Sequence, residues 1–429
     1  MAEPLRLAIA GLGTVGVGVI KIIQEHKDLL AARSGREIEI VNVCASDQSK
    51  DRGVDISAYN WATDAKPLID GVDLVVELVG GSEGFALDLV KEALSAGKHV
   101  VTANKALMAH HGFELASLAE AGDVSLAYEA AVAGGIPAIK AVREGLAAND
   151  INAIYGILNG TSNYILTQMR ESGRDFADVL KDAQDLGYAE ADPTFDIEGV
   201  DAGHKICLLA SLAFGVKPQF EKVRMRGITE ISSVDISFAT ELGYKIKLLG
   251  ITKIRDGKIN IVVEPSLVPE NSALGAVEDV YNAVYVDGDY VDTPLLTGRG
   301  AGEGPTASSV VADIIDIARG HKISTFGVPA SKLKDPSFID PSSIERSFYL
   351  RLMILDQPGV IADVSGILRD HNISIETMVQ RGRDPDQPVP VVLTTHDAVF
   401  GDMQAAVAAL DKLDAIVESP CLMRIEGEL

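Results

Sequence analysis

Cysteine is nearly missing from this chain: Cys44, Cys207 and Cys421 are the three in 429 residues, too few and too scattered for a disulfide framework or a paired-cysteine metal motif. Basic residues are in deficit too. The 38 Lys and Arg face 62 Asp and Glu, a formal charge of −24, which argues against nucleic acid because phosphates demand basic patches. No apolar run is long enough to span a bilayer, and MAEPLRLAIAG leads straight into a strand instead of a signal peptide. The expectation is a soluble cytoplasmic protein without nucleic-acid or membrane partners. What the chain does have is 47% hydrophobic residues, 40 glycines and a mixed charged surface, the composition of a globular protein. Its length suggests about three domains.

LRLAIA is a short apolar run followed by GLGTVGVGVIKIIQ, so a strand turns through Gly11, Gly13 and Gly16 into a helix opening at Thr14 and Val15. This is GxGxxG in its required setting. The glycines permit a tight turn, close approach of backbone to a pyrophosphate and close helix packing, while the helix N-terminus favours the anion. Strand-like runs recur at EIEIVNVCA, DLVVELVG, HVVTA and SLAYEAAV between helical stretches, a pattern that makes a parallel sheet. Residues 1–135 are expected to be a Rossmann-type NAD(P)-binding domain. At the second strand's end Asp47 could bind a free ribose, whereas Lys50 and Arg52 could meet a 2′-phosphate; the balance leans to NADP over NAD.

From Asn152 the pattern changes to strand INAIYGILNG, helix TSNYILTQM and the hairpin KIKLLGITKIRDGKINIVVEP with Asp256 and Gly257 at its turn. Another strand pair flanks Asp287 and Gly288. An antiparallel sheet with helices on one face would make residues 136–330 a second, α+β domain for substrate binding, catalysis and dimerisation. GRGAGEGPTASSVVADIIDIARG then passes into a helix expected to begin at Pro305, and this helix, near 305–320, either closes the substrate pocket or returns to the first domain. After the polar linker KDPSFIDPSSIERS, residues 348–429 read as βαββαβ, a ferredoxin-like order, with Asp356, Gln357, Pro358 and Gly359 opening a helix that could hold a ligand or simply be capped.

Between Gly187 and Lys205 the chain reads GYAEADPTFDIEGVDAGHK, gathering Glu190, Asp192, Asp196, Glu198 and Asp201 ahead of one lysine. Pro193 suits a first helical turn, and ICLLASLAFG carries the helix to Gly215. Asp201 and Lys205 are then one turn apart, on a face that continues through Leu208, Leu209 and Leu212. A desolvated lysine beside a carboxylate has a tuned pKa and a fixed direction, as proton transfer requires. The alternative is an ordinary helix ion pair worth about 0.2–0.5 kcal/mol.

In that segment and just before it, Ala183, Gly187, Tyr188, Ala189, Asp192, Pro193, Asp196, Ile197, Gly199, Asp201 and Lys205 stand at the spacing of a family signature, and the whole chain resembles homoserine dehydrogenase of the long bacterial type with a C-terminal ACT domain. The resemblance implies NAD(P)-dependent interconversion of L-homoserine and L-aspartate 4-semialdehyde, a step toward threonine and methionine, with threonine as an effector through the ACT domain and a homodimer or homotetramer as the assembly. It places catalysis on Lys205, with Asp201 beside it and Lys105 at the junction of nicotinamide and substrate. Substrate contacts fall on Glu190, Asp196, Asp201 and Thr161, and cofactor contacts on Gly11, Gly13, Thr14, Val15, Gly16, Lys105, Gly187 and Gly302. A sodium ion would sit at Glu129, Val132, Gly134 and Ile136, held by one side chain and backbone carbonyls. Without the family, Lys105 is a helix-start cation and the 129–136 stretch a turn with two glycines.

Two rivals stand beside this. A semialdehyde dehydrogenase making an acyl phosphate or acid would need a cysteine thiolate, and Cys207, two residues from Lys205, is the candidate. A ligand sensor with an inactive dehydrogenase half would not need the Asp201 and Lys205 pair. The adjacent His110 and His111 point in different directions on a helix and receive no role.

Overall fold

The chain's first strand, Leu5–Ala10 (β1), ends where Gly11 takes a φ of +95°, a conformation that suits glycine, and the backbone turns into Thr14–Glu25 (α1). A Cβ on Gly11 would press on the Leu78 carbonyl, and one on Gly16 would collide with the Gly11 carbonyl, so two of the three glycines are fixed by contact. This is a computed structural model, and it describes residues 3–382 and 387–427. The alternation continues through Lys27–Ser34 (α2), Ile38–Cys44 (β2), Asn60–Trp61 (β3), Ala65–Ile69 (α3), Leu74–Glu77 (β4), Phe85–Ser95 (α4), His99–Thr102 (β5), Lys105–Ala121 (α5) and Leu126–Ala127 (β6). The strands are all parallel, in the order β3-β2-β1-β4-β5-β6. Strand order reverses between β1 and β4, and ligands of such sheets bind at that switch, beyond the carboxyl ends of the strands.

After the short Ala138–Lys140 (α6), the middle region contains Ile151–Ile157 (β7), Gly160–Ser172 (α7), Phe176–Asp185 (α8), Thr194–Ile197 (α9), Val200–Phe214 (α10), Arg224–Met225 (β8), Ser233–Glu241 (α11), Tyr244–Arg255 (β9), Lys258–Pro269 (β10), Tyr281–Gly288 (β11), Leu295–Arg299 (β12) and Glu303–Ala318 (α12). Strands β12-β11-β7-β9-β10 pair antiparallel. Ile206, Ile246 and Leu248 pack in the core shared with the helices, while Leu249, Ile251 and Tyr155 bury the opposite face. The β9–β10 turn is the expected Asp256–Gly257, both at positive φ (52° and 71°). The second hairpin differs: Asp287 and Gly288 belong to β11, and the turn follows them, because Asn152, Ala153 and Ile151 of β7 hold that end of the strand extended. Helix α12 begins at Glu303 rather than Pro305, with Pro305 inside its first turn, where a missing N–H costs nothing. It packs on the first region: Val310, Val311 and Ile314 share a core with Val19 and Ile20, and Lys21 bonds Glu303 at 2.6 Å.

The C-terminal unit runs Glu345–Arg346 (β13), Phe348–Ile354 (β14), Val360–Asp370 (α13), Ile375–Gln380 (β15), Val389–Thr395 (β16), Ala398–Val399 (β17), Phe400–Leu410 (α14) and Ile416–Ile425 (β18). Its antiparallel order β18-β14-β16-β15 is the expected ferredoxin-like sheet. The unit is not strung on a free linker. β18 pairs parallel with β10 (Ser266 with Arg424, Leu267 with Ile425), making one continuous sheet of the middle and C-terminal regions. Tyr349 Oη and Arg351 Nε of β14 also bond the buried Asp235 of α11, at 3.0 and 2.8 Å. No helix among the described residues is long and apolar enough to cross a membrane.

Candidate active site

The acidic segment is two helices rather than one. Pro193 precedes α9, and Gly199, at φ 82°, breaks the chain before α10, which ends at Gly215 as expected. The break lets Asp201 sit in the first turn of α10 with Lys205 one turn later. Asp201 is 4% exposed and Lys205 8%. Lys205 Nζ donates to Asp201 Oδ2 at 2.7 Å and to the Leu158 carbonyl at 2.6 Å, so two of its three N–H bonds are used and one is left. Asn159, just after β7, caps α7 with its Oδ1 and donates from Nδ2 to both Asp201 Oδ2 (2.9 Å) and Asp196 Oδ1 (2.7 Å). Lys105, the first residue of α5 beyond the β5 strand end, reaches the other Asp201 oxygen at 3.1 Å. One carboxylate thus joins a lysine from the parallel-sheet region to a lysine from the middle region.

The electrostatics follow from this sharing. Burial is the largest influence on Asp201 and would raise its pKa, but the charges of Lys205 and Lys105 outweigh it and hold the carboxyl well below its usual range. Lys205 is lowered from the ordinary lysine value: burial lowers it, Asp201 opposes, and the charge of Lys105 adds to the lowering. Asp196 is raised, first by burial and then by Asp201. Toward the cofactor, α1 has no side chain capping its N-terminus, Gly13 and Thr14 are exposed, and a Cβ on Gly13 would meet nothing within 4 Å. Free backbone N–H groups at a helix start facing open space fit a pyrophosphate.

Three family models match in succession: the homoserine dehydrogenase NAD binding domain over residues 11–129, homoserine dehydrogenase over 137–315, and the ACT domain over 348–415. The homoserine dehydrogenase of Neisseria gonorrhoeae is 45% identical over 433 residues, spanning 99% of each chain. The chain belongs to the homoserine dehydrogenase family. It is an NAD(P)-dependent oxidoreductase acting on a CH–OH group, interconverting L-homoserine and L-aspartate 4-semialdehyde. The crystal structure of a homoserine dehydrogenase from Thiobacillus denitrificans superposes with a TM-score of 0.93 at 42% identity, covering 99% of both chains. A hyperthermophilic archaeal homoserine dehydrogenase in complex with NADPH matches 74% of this chain and 99% of its own, with a TM-score of 0.63 and 29% identity.

The other residues expected at the site of this homoserine dehydrogenase lie at varying distances from the lysine pair. Thr161 lies in the first turn of α7 beside Asn159, its hydroxyl donating to the Tyr188 carbonyl at 2.8 Å. Gly187 (φ 76°) and Glu190 lie on the exposed loop after α8, and the Glu190 carboxylate has no bonded partner among the described residues, so it is not joined to the lysine pair. Gly302 (φ 119°) is the N-cap of α12, next to the Glu303 that Lys21 holds. At the proposed sodium turn, Glu129 Oε1 and Oε2 accept from the Ile139 and Lys140 N–H groups at 2.9 and 2.8 Å, and burial followed by Asp313 pushes this carboxyl up to about 7. Each carboxylate oxygen keeps a further lone pair, and of the turn's carbonyls Gly134 accepts from Ser309 Oγ at 2.7 Å, Ile136 from the Ala138 N–H at 2.7 Å and Glu129 from the Val132 N–H at 3.3 Å. Cys207 is 1% exposed and burial pushes its thiol up to about 12, which removes it as a thiolate nucleophile. Sequence reasoning missed the Leu158 carbonyl, the Phe195 ring 5.3 Å beneath Lys105 Nζ, and His204, stacked on Phe220 at 4.0 Å. Main-chain and ring contacts of this kind leave no periodic signal.

Proposed function

We propose that Lys205 exchanges the proton with the substrate oxygen while Asp201 orients it and Lys105 adds positive charge from the cofactor side. The observation that carries this is the Lys205–Asp201–Lys105 chain of contacts, at 2.7 and 3.1 Å, which joins the two regions. A bound nicotinamide dinucleotide supplies or accepts the hydride. In homoserine oxidation the neutral Lys205 amine takes the hydroxyl proton as the carbon gives up its hydride. In the reverse direction the ammonium returns that proton and stabilises negative charge growing on the aldehyde oxygen. Asp196 and Glu190 would pair with the substrate ammonium, and Thr161 with its carboxylate, the hydroxyl turning its one donor away from the Tyr188 carbonyl. Replacing Lys205 with Ala should lower kcat/KM for L-homoserine by roughly 10²–10⁴-fold while leaving nucleotide affinity intact, measured by nicotinamide absorbance and fluorescence titration. A near-normal rate would remove the role.

NADP is proposed as the preferred cofactor. Arg52 stands beside the glycine turn, its Nε 3.2 Å from the Leu12 carbonyl, its other nitrogens on the Lys50 and Asp47 carbonyls and its guanidinium 5.6 Å from the Trp61 ring centre, while the Asp47 carboxylate accepts from Ser49. Arg52→Ala should raise KM for NADP far more than for NAD; an equal effect on both would remove Arg52 as the 2′-phosphate contact. Threonine is proposed as the effector of the C-terminal unit, supported by the Asp356–Gly359 turn, where Gly359 (φ 97°) opens α13. A sodium ion at the 129–136 turn, held by the Glu129 side chain and by backbone carbonyls of Val132, Gly134 and Ile136, is also proposed, as is a homodimer or homotetramer as the assembly.

A further inference from the structure

A cavity of about 490 Å³ opens in the seam between the middle sheet and the C-terminal unit, away from Lys205. Four arginines line it: Arg224 and Arg226 from β8 and its end, Arg346 from β13 and Arg424 from β18. Arg424 and Arg346 are 4% and 9% exposed, and the other two are half-buried. The carboxylates do not match them. A single oxygen, Glu264 Oε1, accepts from Arg424 Nη1 at 2.9 Å and from Arg346 Nη1 at 3.3 Å. Glu426 pairs with Arg424 from behind, and the remaining acids of the wall, Glu230 and Asp411, are exposed at the rim.

A guanidinium has five N–H donors, and these are underused. Arg224 gives one bond to Asn260 Oδ1 at 3.0 Å, Arg226 one to the Leu422 carbonyl at 2.6 Å, and the Nε groups of Arg346 and Arg424 are buried without a partner among the described residues. Mutual repulsion is felt as well: burial and then the Arg424 charge bring Arg346 down to about 10. Buried cations with spare donors are stabilised by an oxyanion, and a planar carboxylate suits the guanidinium fork. The apolar part of the wall, with Phe348, Phe400 and Val407, suits a hydrocarbon body. The volume lies within the range of roughly 300–1,000 Å³ typical of small-molecule sites.

We propose that this seam cavity binds a small carboxylate with an apolar body, its oxygens held by Arg224, Arg226 and Arg346. The site is separate from the Asp356–Gly359 turn, and neither assignment depends on the other. Occupancy has a direct mechanical route to the chemistry. The side chain of Met225, on the cavity wall, packs on α10 so closely that a Cβ on Gly203 would lie 2.6 Å from its sulfur, and Gly203 stands between Asp201 and Lys205. Just beyond β8, Ile228 N–H bonds the Ile197 carbonyl at 2.9 Å, tying the same wall to α9.

The test titrates the full-length enzyme with sodium 3-methylbutanoate and, in parallel, sodium phosphate, each against sodium chloride at matched ionic strength, reading thermal midpoint and homoserine oxidation. The proteins are wild type, Arg224→Gln and Ala408→Trp; the last puts a large ring on the exposed Ala408 of the cavity wall and keeps all four arginines. Expected is a saturable rise in the wild-type midpoint with the carboxylate, a matching change in KM or kcat, and an apparent affinity weakened about tenfold or more in both variants. A response equal in all three proteins, or none beyond that of chloride, overturns the site. Saturation by phosphate with no response to the carboxylate overturns the ligand class.

Discussion

Asp201 is the residue on which the site turns, because among the described residues it is the one carboxylate bonded to both lysines and to Asn159. Converting it to Asn keeps the shape and removes the charge, leaving Lys205 buried without its counter-ion and Lys105 opposite it. Removing one partner of a buried pair costs about 3–5 kcal/mol, so Asp201→Asn should lower the thermal midpoint as well as the rate. A variant with wild-type stability would mean that Lys205 had neutralised or moved. The pairing of Asp201 with Lys205 was legible from four-residue spacing alone. The approach of Lys105 was not, since it depends on how two regions separated by about a hundred residues dock, and local pattern carries no information on docking.

Among the elements, the β1 turn into α1 and the head of α10 position everything else. Gly16 has no room for a side chain because the Gly11 carbonyl lies against it. Gly16→Ala should therefore displace the helix start and raise the KM for the dinucleotide about tenfold or more, with a smaller effect on the KM for homoserine. Equal KM values for wild type and variant would show that the turn is not where the pyrophosphate sits. Glycine spacing, strand alternation and the Asp256–Gly257 turn were readable because each is a short-range steric rule. The turn expected at Asp287–Gly288 was misplaced because cross-strand bonds with β7 overrode local turn propensity, and the break at Gly199 was missed because a glycine amid helix formers carries no mark of its positive φ.

At the scale of the whole molecule, the C-terminal unit is joined to the catalytic region by the β10–β18 pairing, by Glu264 with Arg346 and Arg424, and by Asp235 with Tyr349 and Arg351. None of this was visible in the sequence, where a polar linker suggested a separable module. Truncation after Ser347 should abolish any threonine response, but it also exposes the edge of β10 and strands the buried Asp235. The expected outcome is an active enzyme with a lowered thermal midpoint and a tendency to self-associate, measured by calorimetry and light scattering. A truncated protein as stable and monodisperse as the full chain would contradict the continuous sheet. Lys205, buried and held by Asp201 and the Leu158 carbonyl, is the proposed proton carrier, and burial lowers its pKa from the ordinary lysine value. The pH dependence of kcat/KM for L-homoserine oxidation, in wild type beside Lys205→Ala, tests this most directly. The wild-type rate should rise with pH and level off below the usual lysine pKa of about 10.4, and the variant should lose both this limb and most of its activity. The same limb at near-normal rate in Lys205→Ala would contradict the assignment.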